Sequence, residues 1–200
     1  MSDVLGQILE LVRTESLDMK ALATAFDAAS HDVRLQAIRS FTPKIQRRLF
    51  DAAEGQRVTL AQIIPPSLPA MRAVNHHGQN TLPAFRQFQK RFCRPEGGVD
   101  KNGREVLWGY NHQTFSFFTG PGYYVAYDDP ATGEVCVDYR ELPPGKVADW
   151  PPILSNKARL GFLVYYNMVD RLRRVSEHVT IGRAYKAKPM SAWFTLVRED

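Results

Sequence analysis

The chain has 200 residues, of which 44% are hydrophobic and 24% are charged, and its formal net charge is +5 at pH 7. This composition excludes a fibrous or an intrinsically disordered protein, and a chain of this length can form a core without disulfide bonds. The apolar run at residues 162–166 is far shorter than the roughly 20 residues that span a bilayer, so we expect no membrane association.

The cysteine content and the charge distribution indicate the cellular compartment and the kind of partner that we expect. The sequence has two cysteines, Cys93 and Cys136, too few for a disulfide framework. Its first residues lack the basic end and apolar run of a signal peptide, so we expect a cytoplasmic protein with reduced thiols. The basic excess falls in two blocks, residues 86–94 and 157–188. Such a mild excess is more typical of a solvated face than of a nucleic-acid footprint, and no specific nucleic-acid binding is expected.

Residues 1–55 predict a helical N-terminal part. Apolar residues recur there at intervals of three and four, as in amphipathic helices. Ser30 is placed to cap a third helix, and Thr42 followed by Pro43 is a strong start signal for a fourth. Gly55 then ends that helix. We expect these helices to pack against one another or against the rest of the fold.

Residues 56–104 predict loops and one helix. Prolines and glycines punctuate the first half, which includes His76 and His77. Three phenylalanines then recur at intervals of three and four, which predicts an amphipathic helix near residues 82–92. The polar face of that helix would carry Arg86, Lys90 and Arg91.

Residues 105–200 predict a β-rich part. Aromatic and β-branched runs separated by turn sequences predict strands at 106–110, 114–118, 123–127 and 135–139. After a proline-rich loop we expect a strand at 162–166, a short helix at 168–173, and strands at 177–187 and 192–198. The predicted fold class is α+β, a single domain over residues 1–200. Its N-terminal helices pack on a curved, mostly antiparallel sheet, which successive short turns could close into a barrel.

The order of the C-terminal segments resembles the end of a known family. The resemblance rests on four runs, FLVYY, MVDRLRRV, TIGR and WFTLVR, within residues 162–198. They are similar to the final strand, short helix, strand and strand of a lipocalin-like barrel family of uncharacterised proteins named for a G-x-W-x-G motif. In place of that motif the chain has Trp108-Gly109-Tyr110. The resemblance implies a small antiparallel barrel that holds an apolar ligand, and it supplies no known catalytic residues.

Familiar catalytic and cofactor motifs are not found in the sequence. It has no dinucleotide-binding turn, phosphate-binding loop, zinc-protease helix or nucleophile elbow. His76, His77 and Cys93 are of types that bind metals, but adjacent histidines rarely point the same way. We therefore expect neither a metal nor a cofactor.

Polar groups on predicted strands supply the candidate site. Asp138 alternates with apolar strand residues, while His178, Thr180 and Gly182 share one strand face. If that face looks into a barrel, Asp138 and His178 could form a carboxylate–imidazole pair for proton transfer; if it looks outward, they are surface residues. A glycine such as Gly182 inside a strand often marks a bend or the close approach of a ligand.

Three functions follow from these patterns. The first is binding of a small, partly apolar ligand in an aromatic-lined pocket. If that ligand carries an anionic group, Arg183 would hold it. Its predicted ligand-binding residues are Tyr123, Asp138, His178, Arg183 and Tyr185. The alternative is a cofactor-independent enzyme in which Asp138, His178 and a tyrosine exchange protons. The second alternative is an interaction or nucleic-acid-binding protein that uses the basic blocks.

Overall fold

A computed structural model describes residues 2–84, 86–113, 120–157 and 161–199. Its centre is a closed barrel in which each strand pairs antiparallel with the next one and the last pairs with the first. The strands are β1 (Val74–Asn80), β2 (Gln87–Cys93), β3 (Leu107–His112), β4 (Tyr123–Asp129), β5 (Glu134–Asp138), β6 (Val169–Arg174), β7 (Val179–Lys186) and β8 (Lys188–Arg198). The predicted α+β class with a lipocalin-like barrel is thus confirmed.

The N-terminal helical part consists of α1 (Ser2–Leu11), α2 (Met19–Ala28), α3 (His31–Arg39) and α4 (Pro43–Ala52). Their starts follow local chemistry, because side-chain oxygens of Asp18, Ser30 and Thr42 accept backbone N–H groups of the first turns of α2, α3 and α4. The proline after Thr42 occupies the start of α4, as its fixed φ favours.

The helices cover one side of the barrel. Their apolar residues form one buried cluster with the outward-facing side chains of Val179, Ile181 and Val197 on β7 and β8. These three side chains are fully buried. The helices therefore supply a second apolar layer that the outer face of this part of the sheet needs.

One end of the barrel is closed by the short helix α5 (Leu60–Ile63). Leu60 and Ile63 join the apolar interior of the barrel. The Ile63 carbonyl accepts a hydrogen bond from Nε2 of the buried His76 at 3.0 Å, and the Leu60 N–H donates to Oδ1 of Asp128 at 3.0 Å. Access to the interior is thus from the opposite end.

Three inward-facing glycines each lie opposite an aromatic ring on the next strand. The register pairs Gly78 with Phe88, Gly109 with Tyr124 and Gly182 with Phe194. A Cβ atom on Gly182 would overlap the Phe194 ring, so the ring occupies the space that a side chain would take. Where the sequence predicts a bend or the close approach of a ligand at Gly182, the structure has a ring of the protein itself.

Two predicted helices are wrong. The helix expected at 82–92 is replaced by β2, which pairs with β1 where loops were expected. The helix expected at 168–173 is β6, and the strand expected at 162–166 is replaced by α6 (Gly161–Val164). Phenylalanines four residues apart satisfy both a helical and an alternating pattern, and strand pairing decides between them. The predicted strand at 114–118 lies outside the described residues.

Candidate functional site

The sequence-predicted pair, Asp138 and His178, is not brought together. Asp138 ends β5 and its neighbour across the ladder is Val169, which pairs with Tyr185 near the end of β7. His178 precedes the first residue of β7, so the two lie at opposite ends of the barrel, on the order of 20 Å apart along the strand. Asp138 is buried on the outer face, where Nη2 of Arg140 binds its carboxylate at 2.6 Å.

The other predicted ligand-binding residues also lie outside the barrel. Tyr123 is buried in an outer cluster with Tyr110 and Trp150, and its hydroxyl donates to a backbone carbonyl. The guanidinium of Arg183 lies over the Tyr185 ring at 5.8 Å, and its Nε donates to a backbone carbonyl of β8 at 2.8 Å. Arg183 and Tyr185 therefore lie outside the barrel interior, and their role in ligand binding stays a prediction.

The barrel interior opens, at the end opposite α5, into a pocket of about 260 Å³. Its apolar walls are mostly aromatic or thioether side chains, namely Phe88, Tyr139, Tyr165, Met168, Met190 and Phe194. Its polar lining includes Lys90, Asn111 and Asp170. None of these lining residues is among the five ligand-binding residues predicted from the sequence.

Lys90 lies at the centre of a buried polar cluster in this pocket. Its ammonium donates to Oδ2 of Asp170 at 2.8 Å, to Oδ1 of Asn111 at 3.1 Å and to the hydroxyl of Tyr139. The Tyr139 hydroxyl also accepts from Nδ2 of Asn111 at 2.7 Å and donates to Oδ2 of Asp170 at 3.2 Å. The charged side chains are only 2% and 3% exposed, a burial that requires this degree of pairing.

Four aromatic rings surround the Lys90 ammonium. Its distances to the ring centroids are 4.9 Å for Tyr139, 5.1 Å for Tyr124, 5.1 Å for Phe194 and 5.8 Å for Phe88. Each lies within the range of a cation–π attraction, which is strongest where water is excluded. Three of these rings are the ones that rest against inward-facing glycines, so the glycine pattern builds the aromatic cage around Lys90.

Burial sets the protonation behaviour of the cluster. Desolvation lowers the pKa of Lys90 below its ordinary value, and the neighbouring Asp170 carboxylate opposes this shift. Burial, followed by the charge of Asp170, raises the pKa of Tyr139 well above its ordinary value. Tyr139 therefore stays protonated and available as a hydrogen-bond donor, while the Lys90 amine loses its proton more readily than an exposed lysine.

One atom of the cluster has no hydrogen-bond partner among the described residues. Within the described part of the chain, the buried Oδ1 of Asp170 accepts no hydrogen bond. A carboxylate oxygen without a donor in a low-dielectric interior costs about 1–3 kcal/mol or more, so such atoms are uncommon in native proteins. Asp170 lines the pocket, and a ligand or a water molecule that reaches this oxygen would supply the missing donor.

The sequence did contain a signal for this cluster. Phe88, Lys90 and Phe92 alternate along β2, so a strand interpretation would have put the lysine on an apolar face. Asp170 likewise alternates with Met168 and Leu172. The helical interpretation placed Lys90 among the exposed arginines and concealed both residues.

The residues of metal-binding types in the sequence do not share one location in the structure. His76 points into the barrel and His77 points outward, where its ring lies 5.5 Å from that of His31 on α3. Cys93 belongs to the outer cluster. In the described ranges no three His, Cys, Asp or Glu side chains are grouped as a metal would require.

No family model, curated protein or solved structure matches this chain. In the described part of the chain, no helix is both long enough and apolar enough to cross a membrane.

Proposed function

We propose that the barrel binds a small, mostly apolar molecule that carries a hydroxyl or N–H group. The observation that supports this most is that the pocket is lined by Asp170, whose buried Oδ1 accepts no hydrogen bond from the described residues. The aromatic walls favour an apolar, flat body for the ligand. At about 260 Å³ the pocket is slightly below the range of about 300–1,000 Å³ typical of ligand sites, so the ligand is small.

The charges in the pocket argue against an anionic group at its floor. Lys90 is already paired with Asp170, and the free acceptor is a carboxylate oxygen, which repels an anion. A neutral donor such as an alcohol fits both the acceptor and the low dielectric of the interior. The ligand-holding role implied by the resemblance to lipocalin-like barrels agrees with this proposal, and membership of that family stays a prediction.

The basic blocks support nucleic-acid binding less well. Lys90 lies inside the barrel, and Arg94 donates to three backbone carbonyls. Arg171 and Arg173 both pair with Glu134 on the neighbouring strand. Cations engaged in this way do not form a continuous basic face, so we expect at most weak, salt-sensitive binding of nucleic acid.

Cinnamyl alcohol, with one aromatic ring and one hydroxyl, is a suitable probe. We expect it to bind the wild-type protein in a calorimetric titration, and its methyl ether to bind at least about tenfold more weakly, because the ether cannot donate to the Asp170 carboxylate.

Ala192 lines the pocket, whereas Ser191 is exposed on the other face of the same strand. Ala192→Trp should therefore abolish binding and Ser191→Trp should leave it unchanged. Equal binding by both tryptophan variants, or no binding by the wild type, would refute the proposal.

A further inference from the structure

The amine of Lys90 has surroundings that a structural ion pair alone does not need. Lys90 is one of the residues that line the pocket, and it has a proton acceptor, a proton donor and four rings around it. An amine that attacks a carbonyl must be uncharged, must have a group to take its proton, and must be near a group that protonates the departing oxygen. Lys90, Asp170 and Tyr139 supply these three requirements within hydrogen-bond distance of one another.

We propose that Lys90 captures aldehydes or ketones that enter the pocket and forms an imine with them. This inference rests on the proposed function, because the carbonyl compound must first occupy the pocket. It goes further by naming a ligand class and a covalent step.

The step balances without any further reagent. The Lys90 ammonium passes a proton to Asp170, and the neutral amine attacks the carbonyl carbon, so that a C–N bond forms and the carbonyl π electrons move to oxygen. A proton moves from nitrogen to that oxygen to give a carbinolamine. Asp170 returns its proton to the hydroxyl, the C–O bond breaks as the nitrogen lone pair forms the C=N bond, and water leaves. The product is a protonated imine beside an ionised Asp170.

The geometry favours each stage. The carbinolamine hydroxyl is the kind of donor that Oδ1 of Asp170 lacks within the described part of the chain. Tyr139 can donate to the same oxygen as it leaves, since its hydroxyl contacts both Lys90 and Asp170. The cationic imine stays inside the cage of four rings, where cation–π attraction stabilises it. Burial, which lowers the pKa of Lys90, increases the fraction of neutral amine.

Cinnamaldehyde with sodium cyanoborohydride tests the inference on the intact protein. Reduction makes an imine permanent, so peptide mapping by mass spectrometry shows which lysine reacted. We expect one reduced adduct at Lys90, formed at least about tenfold faster than adducts at other lysines because the pocket positions the carbonyl. Cinnamyl alcohol should slow this labelling by competition.

Lys186 provides a matched control because it also lines the pocket and its pKa is also lowered by burial. Lys90→Arg keeps a cation but cannot form an imine, so it should remove the adduct, whereas Lys186→Arg should keep it. The mapping of the wild-type adduct does not depend on whether either variant folds. Binding of cinnamyl alcohol without an adduct at Lys90, or an adduct confined to other lysines, would overturn carbonyl capture and leave the binding function intact. No binding of the alcohol and no adduct would overturn both.

Discussion

Burying the Lys90–Asp170 pair costs free energy, which contacts with the surrounding residues must offset. Removing two charges from water costs several kcal/mol for each ion, and a buried pair often stabilises a fold less than apolar residues of similar volume would. Here Asn111, Tyr139 and the aromatic cage supply the compensating contacts, yet one carboxylate oxygen remains without a donor in the described part of the chain. An arrangement with this cost and an unused acceptor is typical of a functional site.

His76 is a second buried ionisable residue, and it predicts an acid-sensitive fold. Burial lowers its pKa from 6.5 to about 3, so between these pH values the unfolded chain binds a proton that the folded protein does not. The free energy of unfolding therefore falls as the pH drops below about 6.5, by up to about 1.4 kcal/mol per pH unit. His76→Gln can keep a donor for the Ile63 carbonyl and removes the titration. In urea denaturation, the wild type should lose roughly 2 kcal/mol more than this variant between pH 7 and pH 5.

Because the other histidines are unchanged in His76→Gln, its difference from the wild type isolates the titration of His76. If His76→Gln lost the same amount as the wild type, burial of a neutral His76 would not be the source of the acid sensitivity.

At the scale of elements, strand pairing positions the site, because it places aromatic rings opposite inward-facing glycines. Gly78, Gly109 and Gly182 each leave room for a ring from the adjacent strand, and those rings enclose Lys90. The register of the sheet, rather than any one loop, thus positions the aromatic cage. A change at a glycine should therefore affect both stability and the pocket.

Gly182→Ala tests this connection. The added Cβ would overlap the Phe194 ring, so the ring must move, and we expect a loss of about 1–3 kcal/mol in the free energy of unfolding. Gly6 provides the control because it is exposed in α1, and a Cβ added there would have no atom within 4 Å. Gly6→Ala should stabilise the protein by about 0.5–1 kcal/mol through helix propensity. Chemical denaturation measures the free energy of unfolding of both variants. A Gly182→Ala protein that is as stable as the wild type and binds cinnamyl alcohol with unchanged affinity would contradict the connection.

The elements that could be predicted from the sequence are those fixed by local chemistry. The caps of α3 and α4 depend on single hydroxyl groups and were predicted correctly. Strands β2 and β6 were not, because their apolar residues fit two periodicities and only pairing across the barrel selects one. The site could not be predicted from the sequence for the same reason. Lys90 and Asp170 are far apart in sequence and meet only when both segments are strands.

At the scale of the whole molecule, the barrel depends on its helical layer. Val179, Ile181 and Val197 are fully buried only because the N-terminal helices cover them. Without that layer the barrel would expose a continuous apolar patch, which soluble monomers rarely tolerate. That residues 1–200 form a single domain stays a prediction.

We therefore predict that residues 56–200 expressed alone give insoluble or molten protein. Poor dispersion of amide signals in a nuclear magnetic resonance spectrum, together with binding of a hydrophobic dye, would indicate this outcome. A well-dispersed, cooperatively unfolding fragment would instead show that the helices form a separate domain.

The position of the ligand is the central claim, and the methionines allow it to be measured directly. Met168 and Met190 line the pocket, whereas Met19 packs in the helical layer and Met71 against the outer cluster. The measurement is a titration of protein carrying ¹³C-labelled methionine methyl groups with cinnamyl alcohol. We expect saturable shifts of the Met168 and Met190 signals while Met19 and Met71 stay unchanged. Shifts confined to Met19 or Met71, or no shift at either pocket methionine, would contradict a binding site inside the barrel.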